Sequence, residues 1–113
     1  MNNNNIKLRL ALDWTPNINH IGFYVAKEKG FFKELNIDVE IISPKTDNYK
    51  YSPAKKIELY LADIALCPTE SIISFRTKKK PFKLYALATI FQRDISAIAV
   101  VKSNNIKSPK DLD

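Results

Sequence analysis

Three short segments hold most of the side chains that could do chemistry. They are the "DWTPNINH" run of residues 13–20, "CPTES" at 67–71 and "FQRD" at 91–94. Trp14 offers a flat face on which a heteroaromatic ring can stack. Asn17 and Asn19 are residue types that cap helices, and their amides could also meet a ligand. His20 can make a local hydrogen bond in a first helical turn or present a ring nitrogen to a ligand. Glu70 suits the positive end of a helix, and its carboxylate can accept a charge-assisted hydrogen bond. Ser71 adds a hydroxyl, Gln92 an amide and Arg93 a guanidinium. This inventory fits non-covalent recognition of a small molecule.

Other chemistries lack their parts. With only Gly22 and Gly30, the chain has no glycine-rich loop to cradle a phosphate. One histidine and one cysteine do not form a metal-ligand set, so no metal is expected. No nucleophile sits in a recognised turn near His20, so no catalytic residue is assigned.

The elements that must position these groups follow from hydrophobic periodicity. Residues 6–12, "IKLRLAL", place Ile6, Leu8, Leu10 and Leu12 on alternate positions, which predicts a strand stopping before Pro16. From Asn19 the apolar residues fall near helical spacing, and Gly30 should break that helix behind Lys27 and Lys29. Residues 31–35 read as one further turn, closed by Asn36 in the left-handed conformation that asparagine tolerates. Strands are expected at 37–43, 62–67, 82–91 and 95–103, with a polar loop at 44–53 and short helices at 54–61 and after Pro68. Ser108 before Pro109 signals another helix start. Cys67 reads as a small buried hydrophobe and Asp63 as a turn or cap residue. Strands alternating with helices predict an α/β fold with a mainly parallel sheet. In such sheets, ligands bind beyond the carboxyl ends of the strands, where all three polar segments lie.

At 113 residues, with 45% hydrophobic and 27% charged side chains, the chain suits one globular unit behind an asparagine-rich tail at residues 1–5, expected to be disordered. The formal charge of +6 raises nucleic acid as a partner. The lysines cluster at 55–56 and 78–80 beside prolines, without interleaved aromatics, so solvated loops explain them and no nucleic acid is expected. No apolar run is long enough for membrane insertion, and no signal peptide is visible, so a cytoplasmic location is expected if the N-terminus is complete.

The run "LDWTPNINHIGFYVAKEKGFFKELNIDVEI" closely resembles the opening of the family that unites thiamine-pyrimidine synthases with substrate-binding proteins of ABC transporters. "ADIALCPTESIISF", "ALATIFQRDISAIAVVKS" and "IKSPKDLD" resemble later blocks of that family, in order. The resemblance implies a type II periplasmic-binding-protein-like fold, in which two α/β lobes clamp a ligand. Residues 6–113 would then be lobe one, incomplete without lobe two, and unstable or self-associating when alone. It implies a solute-binding role, for a thiamine-precursor pyrimidine or a similar small heterocycle, with an ABC-transporter permease as a further partner. Glu70 would pair with the amidine-like edge of an aminopyrimidine.

Departures from the family pattern shape the remaining expectations. Tyr60 stands where relatives often carry glycine. Synthases hold pyridoxal phosphate on a lysine, with a histidine one helical turn later. Those positions are Cys67 and Ser71 here, and neither can do that work. No cofactor is therefore expected, and enzymatic activity is disfavoured. A fragment of a synthase-like enzyme and a non-functional remnant stand as the alternatives.

Overall fold

The computed structural model describes residues 5–91, 93, 97–101 and 106–112. Its centre is a three-stranded parallel sheet in the order β2-β1-β3, formed by β1 (Ile6–Ala11), β2 (Ile37–Ile42) and β3 (Ile64–Ala65). β1 and β2 pair along their whole length, Ile6 opposite Ile37 and Ala11 opposite Ile42. β3 adds only Ile64 and Ala65, opposite Leu10 and Ala11. A 3-10 turn, Ile18–His20, leads from β1 into helix α1 (Ile21–Glu28). Then come α2 (Phe31–Glu34), α3 (Pro53–Glu58) and α4 (Glu70–Thr77). The α/β class and the parallel sheet expected from the alternating pattern are both present.

The core sits towards the carboxyl end of β1. Leu10, Leu12 and Val39 are buried, with Phe23, Phe32, Ile37, Ile41, Ile64 and Leu66 packed around them. The apolar stripe on β1 is therefore used unevenly, since Ile6 is exposed while Leu10, Ala11 and Leu12 are sealed. Lys27 of α1 reaches across to donate from Nζ to the Val39 carbonyl, 2.7 Å away.

Helix ends follow their residues closely. Gly30 takes φ +82 between α1 and α2, and Asn36 takes φ +56 after α2, where left-handed backbone ends the helical run. Tyr60 has the same geometry after α3. With φ +57 it donates its N–H to the Ile57 carbonyl, while Leu61 donates to Lys56, completing a Schellman stop. Glycine takes this backbone most easily, and Tyr60 adopts it with an exposed side chain.

Asp63 does more than cap a turn. Its carboxylate accepts from Arg9 Nε at 3.0 Å, from Arg9 Nη2 at 2.9 Å and from the Arg9 backbone N–H at 2.8 Å. Arg9 Nη1 also donates to the Tyr60 carbonyl. The clamp docks the entry to β3 against β1. Arg9 hydrogen bonds, led by those of the side chain, hold the Asp63 carboxyl below the ordinary carboxylate range. A carboxyl depressed on folding contributes stability above its unfolded value, about 3.9, and that contribution is lost as pH falls through the folded value. Unfolding midpoints should drop on acidification below about pH 4, and Asp63→Asn should flatten that dependence. An unaltered acid limb in the variant would remove the clamp from this role.

One expected strand does not form, and a second shows no ladder among its described residues. Residues 82–91 join no ladder, and neither do 97–101; the remainder of the 95–103 segment lies outside the described residues. β3 presents only two residues of edge, too little backbone to template a ten-residue partner. The 82–91 segment is pinned instead beside α4, where the Phe82 N–H donates to the Phe75 carbonyl and Arg76 Nη2 donates to the Leu84 carbonyl. Leu84 is buried there, while Tyr85, Leu87, Ile90 and Phe91 are exposed. The asparagine tail, apart from Asn5, also lies outside the described residues. The helix start signalled by Ser108 is a 3-10 turn, Pro109–Leu112, stabilised by Asp111 accepting from the Lys107 and Ser108 N–H groups.

Candidate functional site

The ladders end level with one another, because Ala11 pairs with both Ile42 and Ala65. Leu12 donates its N–H to the Ile42 carbonyl and Leu66 donates to the Ala11 carbonyl, so the three chains leave the sheet side by side. Asp13–Trp14, the loop after Ser43 and Cys67–Ser71 thereby share one rim, the carboxyl edge of a parallel sheet.

The β1 exit is held by its own side chains. Asn17 caps the Ile18–His20 turn, its Oδ1 accepting from the Asn19 N–H at 2.9 Å and its Nδ2 donating to the Thr15 carbonyl. His20 closes the reciprocal half of the box, with Nδ1 accepting from the Asn17 N–H at 3.1 Å. An acceptor at Nδ1 leaves the ring proton on Nε2, which donates to Asp13 Oδ1 at 2.7 Å. The His20 side chain is only 2% exposed and that of Asp13 is 47% exposed. In this structure the His20 ring is buried and both its nitrogens are engaged by protein partners. Its geometry serves to orient the Asp13 carboxylate towards solvent.

Trp14 is 62% exposed, with its indole packed on Tyr49 at a centroid distance of 5.5 Å and an interplanar angle of 55°. A large aromatic left that open on a strand-end rim is suited to stacking. On the third exit, Cys67 is half-buried. Burial, with a smaller push from the Asp13 charge, raises its thiol, and a hydrogen bond from Ser71 opposes the rise. Cys67 and Ser71 belong to this exit, and Asp13 to the neighbouring one. Glu70, exposed at the first position of α4, directly precedes Ser71 in the chain.

Arg93 is exposed, and no described contact ties it to the rim, while Gln92 lies outside the described residues. Asp13 and Tyr49 are the groups that the sequence reading passed over. Asp13 could have been found as the acid next to Trp14, but nothing local marks Tyr49 as its packing partner.

A lysine-held pyridoxal phosphate does not fit here. At this rim Cys67 carries a thiol raised by burial, which offers neither an amine nor a ready thiolate. Among the described residues, no three His, Cys, Asp or Glu side chains gather to hold a metal ion. A cavity of about 490 Å³ lies elsewhere and is lined by Lys55, Glu58, Lys78, Lys79 and Lys80. It opens beside α3 and the C-terminal end of α4, away from the carboxyl rim, and two of its lysines already pair with Glu58. The rim carries the chemistry better than this lysine groove does.

Comparison with known proteins shows what the chain resembles. A Haemophilus influenzae protein named for thiamine biosynthesis is 29% identical over 108 residues, covering 94% of this chain and 32% of the relative. A formylaminopyrimidine-binding protein of Halalkalibacterium halodurans is 30% identical over 107 residues, covering 93% of this chain and 30% of the relative. The 4-amino-5-hydroxymethyl-2-methylpyrimidine phosphate synthase THI11 of Saccharomyces cerevisiae is 24% identical over 102 residues, covering 88% and 28%. The chain spans about a third of the length of these curated relatives. The "NMT1/THI5 like" family model matches residues 17–113, from the Asn17 cap through all the later elements. On that match, the chain belongs to the NMT1/THI5-like family.

Proposed function

We propose that residues 6–113 form part of a solute-binding lobe that takes a thiamine-precursor aminopyrimidine or a similar small nitrogen heterocycle. A second lobe, as in type II periplasmic-binding-protein folds, supplies the opposite wall, and an ABC-transporter permease is the proposed recipient of the ligand. The observation that carries the reading is the β1 exit. There an open indole stands next to a carboxylate whose orientation is set by a buried histidine. Trp14 supplies a stacking face, while Glu70 and Asp13 supply acceptors for the ring's amino edge. Asn17, Ser71, Gln92 and Arg93 complete the proposed contact set. The relative named as a formylaminopyrimidine-binding protein supports this ligand class. Cys67 and Ser71 weigh against the synthase alternative.

Calorimetric titration of 4-amino-5-hydroxymethyl-2-methylpyrimidine into the full-length protein tests the proposal. Glu70→Gln should weaken binding by about ten- to a hundredfold, the loss expected on removing a charged hydrogen-bond partner, and Trp14→Ala should weaken it as well. Unchanged affinity in both variants, with folding intact, would remove these residues from the site. Binding of a sulfonate in place of the pyrimidine would overturn the ligand class.

A further inference from the structure

The loop leaving β2 carries an unusual backbone. The Pro44–Asp47 turn ends in a Schellman stop, with the Asn48 N–H donating to the Lys45 carbonyl and the Tyr49 N–H donating to the Pro44 carbonyl. Such a stop requires one left-handed residue, and Asn48 provides it at φ +52. Tyr49 follows at φ +59, a second positive φ that the stop does not require, on a bulky residue that disfavours it. Strain of this kind persists only where surrounding contacts over-determine it. Those contacts lead to the rim: the Tyr49 ring packs on Trp14, and the Tyr49 hydroxyl bonds to the Thr15 hydroxyl. From below, Asp47 Oδ2 accepts the Tyr51 N–H and pairs with the buried Lys56 of α3 at 3.2 Å.

We infer that Tyr49 is a positioning residue that fixes the Trp14 indole as a stacking platform for a planar heterocycle. At 5.5 Å and 55°, the two rings lean edge against face and leave no gap for a third ring between them. The ligand therefore meets the open side of Trp14, and Tyr49 backs the other. The inference rests on the proposed binding role for its ligand, but the positioning itself can be read without one. Trp14 is the chain's single tryptophan, so intrinsic fluorescence reports on this ring alone.

The informative variant is Tyr49→Gly. Glycine accepts positive φ freely, so the fold should be unharmed or firmer, while the buttress is removed. Tyr49→Gly and Tyr49→Ala should lower the fluorescence anisotropy of Trp14 and increase its quenching by acrylamide. Tyr49→Phe, which keeps the ring, should stay close to wild type. Affinity for 4-amino-2-methylpyrimidine should fall about two- to tenfold in the glycine variant, the range expected from losing one aromatic pair. Anisotropy and quenching unchanged in Tyr49→Gly, with the circular dichroism of the fold retained, would overturn the inference. So would wild-type affinity for the pyrimidine in that variant. If the wild-type protein binds no aminopyrimidine, the proposed function fails, and the Trp14 fluorescence of the variants still decides the positioning role.

Discussion

Asp47→Ala should destabilise the fold by about 3 kcal/mol, towards the lower end of the cost of breaking a buried ion pair from one side. The Lys56 side chain is 5% exposed and that of Asp47 is 23% exposed, so the lysine left behind would be a nearly sealed charge without its partner. Asp47 Oδ1 is already buried and unpartnered, which shows how little solvent compensates this corner. Replacing both members, as in Asp47→Leu with Lys56→Met, should cost far less than the single change and could leave stability unchanged. Urea unfolding followed by circular dichroism measures both. A loss below about 1 kcal/mol for Asp47→Ala would mean that water satisfies Lys56 well enough without it. The same experiment reports on the β2 exit, because Asp47 anchors the loop that carries Tyr49.

Leu12→Ala should cost about 2–5 kcal/mol, the usual range for truncating a buried leucine. Leu12 is 1% exposed and belongs to the buried cluster with Leu10 and Val39, so its truncation leaves a void among packed neighbours. Against typical domain stabilities of about 5–15 kcal/mol, the loss would move much of the population to the unfolded state at moderate denaturant. Leu87→Ala is the control, since Leu87 is 78% exposed and its truncation should stay within about 0.5 kcal/mol of wild type. Similar shifts in the unfolding midpoint for the two variants would contradict the placement of the core.

Local rules carried the reading as far as Gly30, Asn36 and the first two strands. Alternation locates β1 and β2 to within a residue, and helix stops depend only on the backbone beside them. They failed where the outcome depends on distant partners. An apolar run such as 82–91 has strand character, yet a ladder also needs an edge, and the two residues of β3 provide very little. Asp63 resembles a turn residue until Arg9, far back in the chain, grips it. Within the rim, Trp14, Asn17 and His20 stand out because they crowd one junction. Tyr49 looks like any residue in a polar loop, and only the parallel pairing of β1 with β2 brings it to Trp14.

The order β2-β1-β3 also governs how the chain can assemble during synthesis. The central strand is made first, but Ile6 must wait for Ile37 and Leu10 for Ile64 before either edge is satisfied. Parallel pairings across such spans bear the loop-closure cost before any ladder bond rewards it. The nascent β1 therefore emerges from the ribosome as an apolar strand with both edges open. Lys7 and Arg9, alternating with its apolar residues, are charges of the kind that oppose edge-to-edge association until its neighbours arrive.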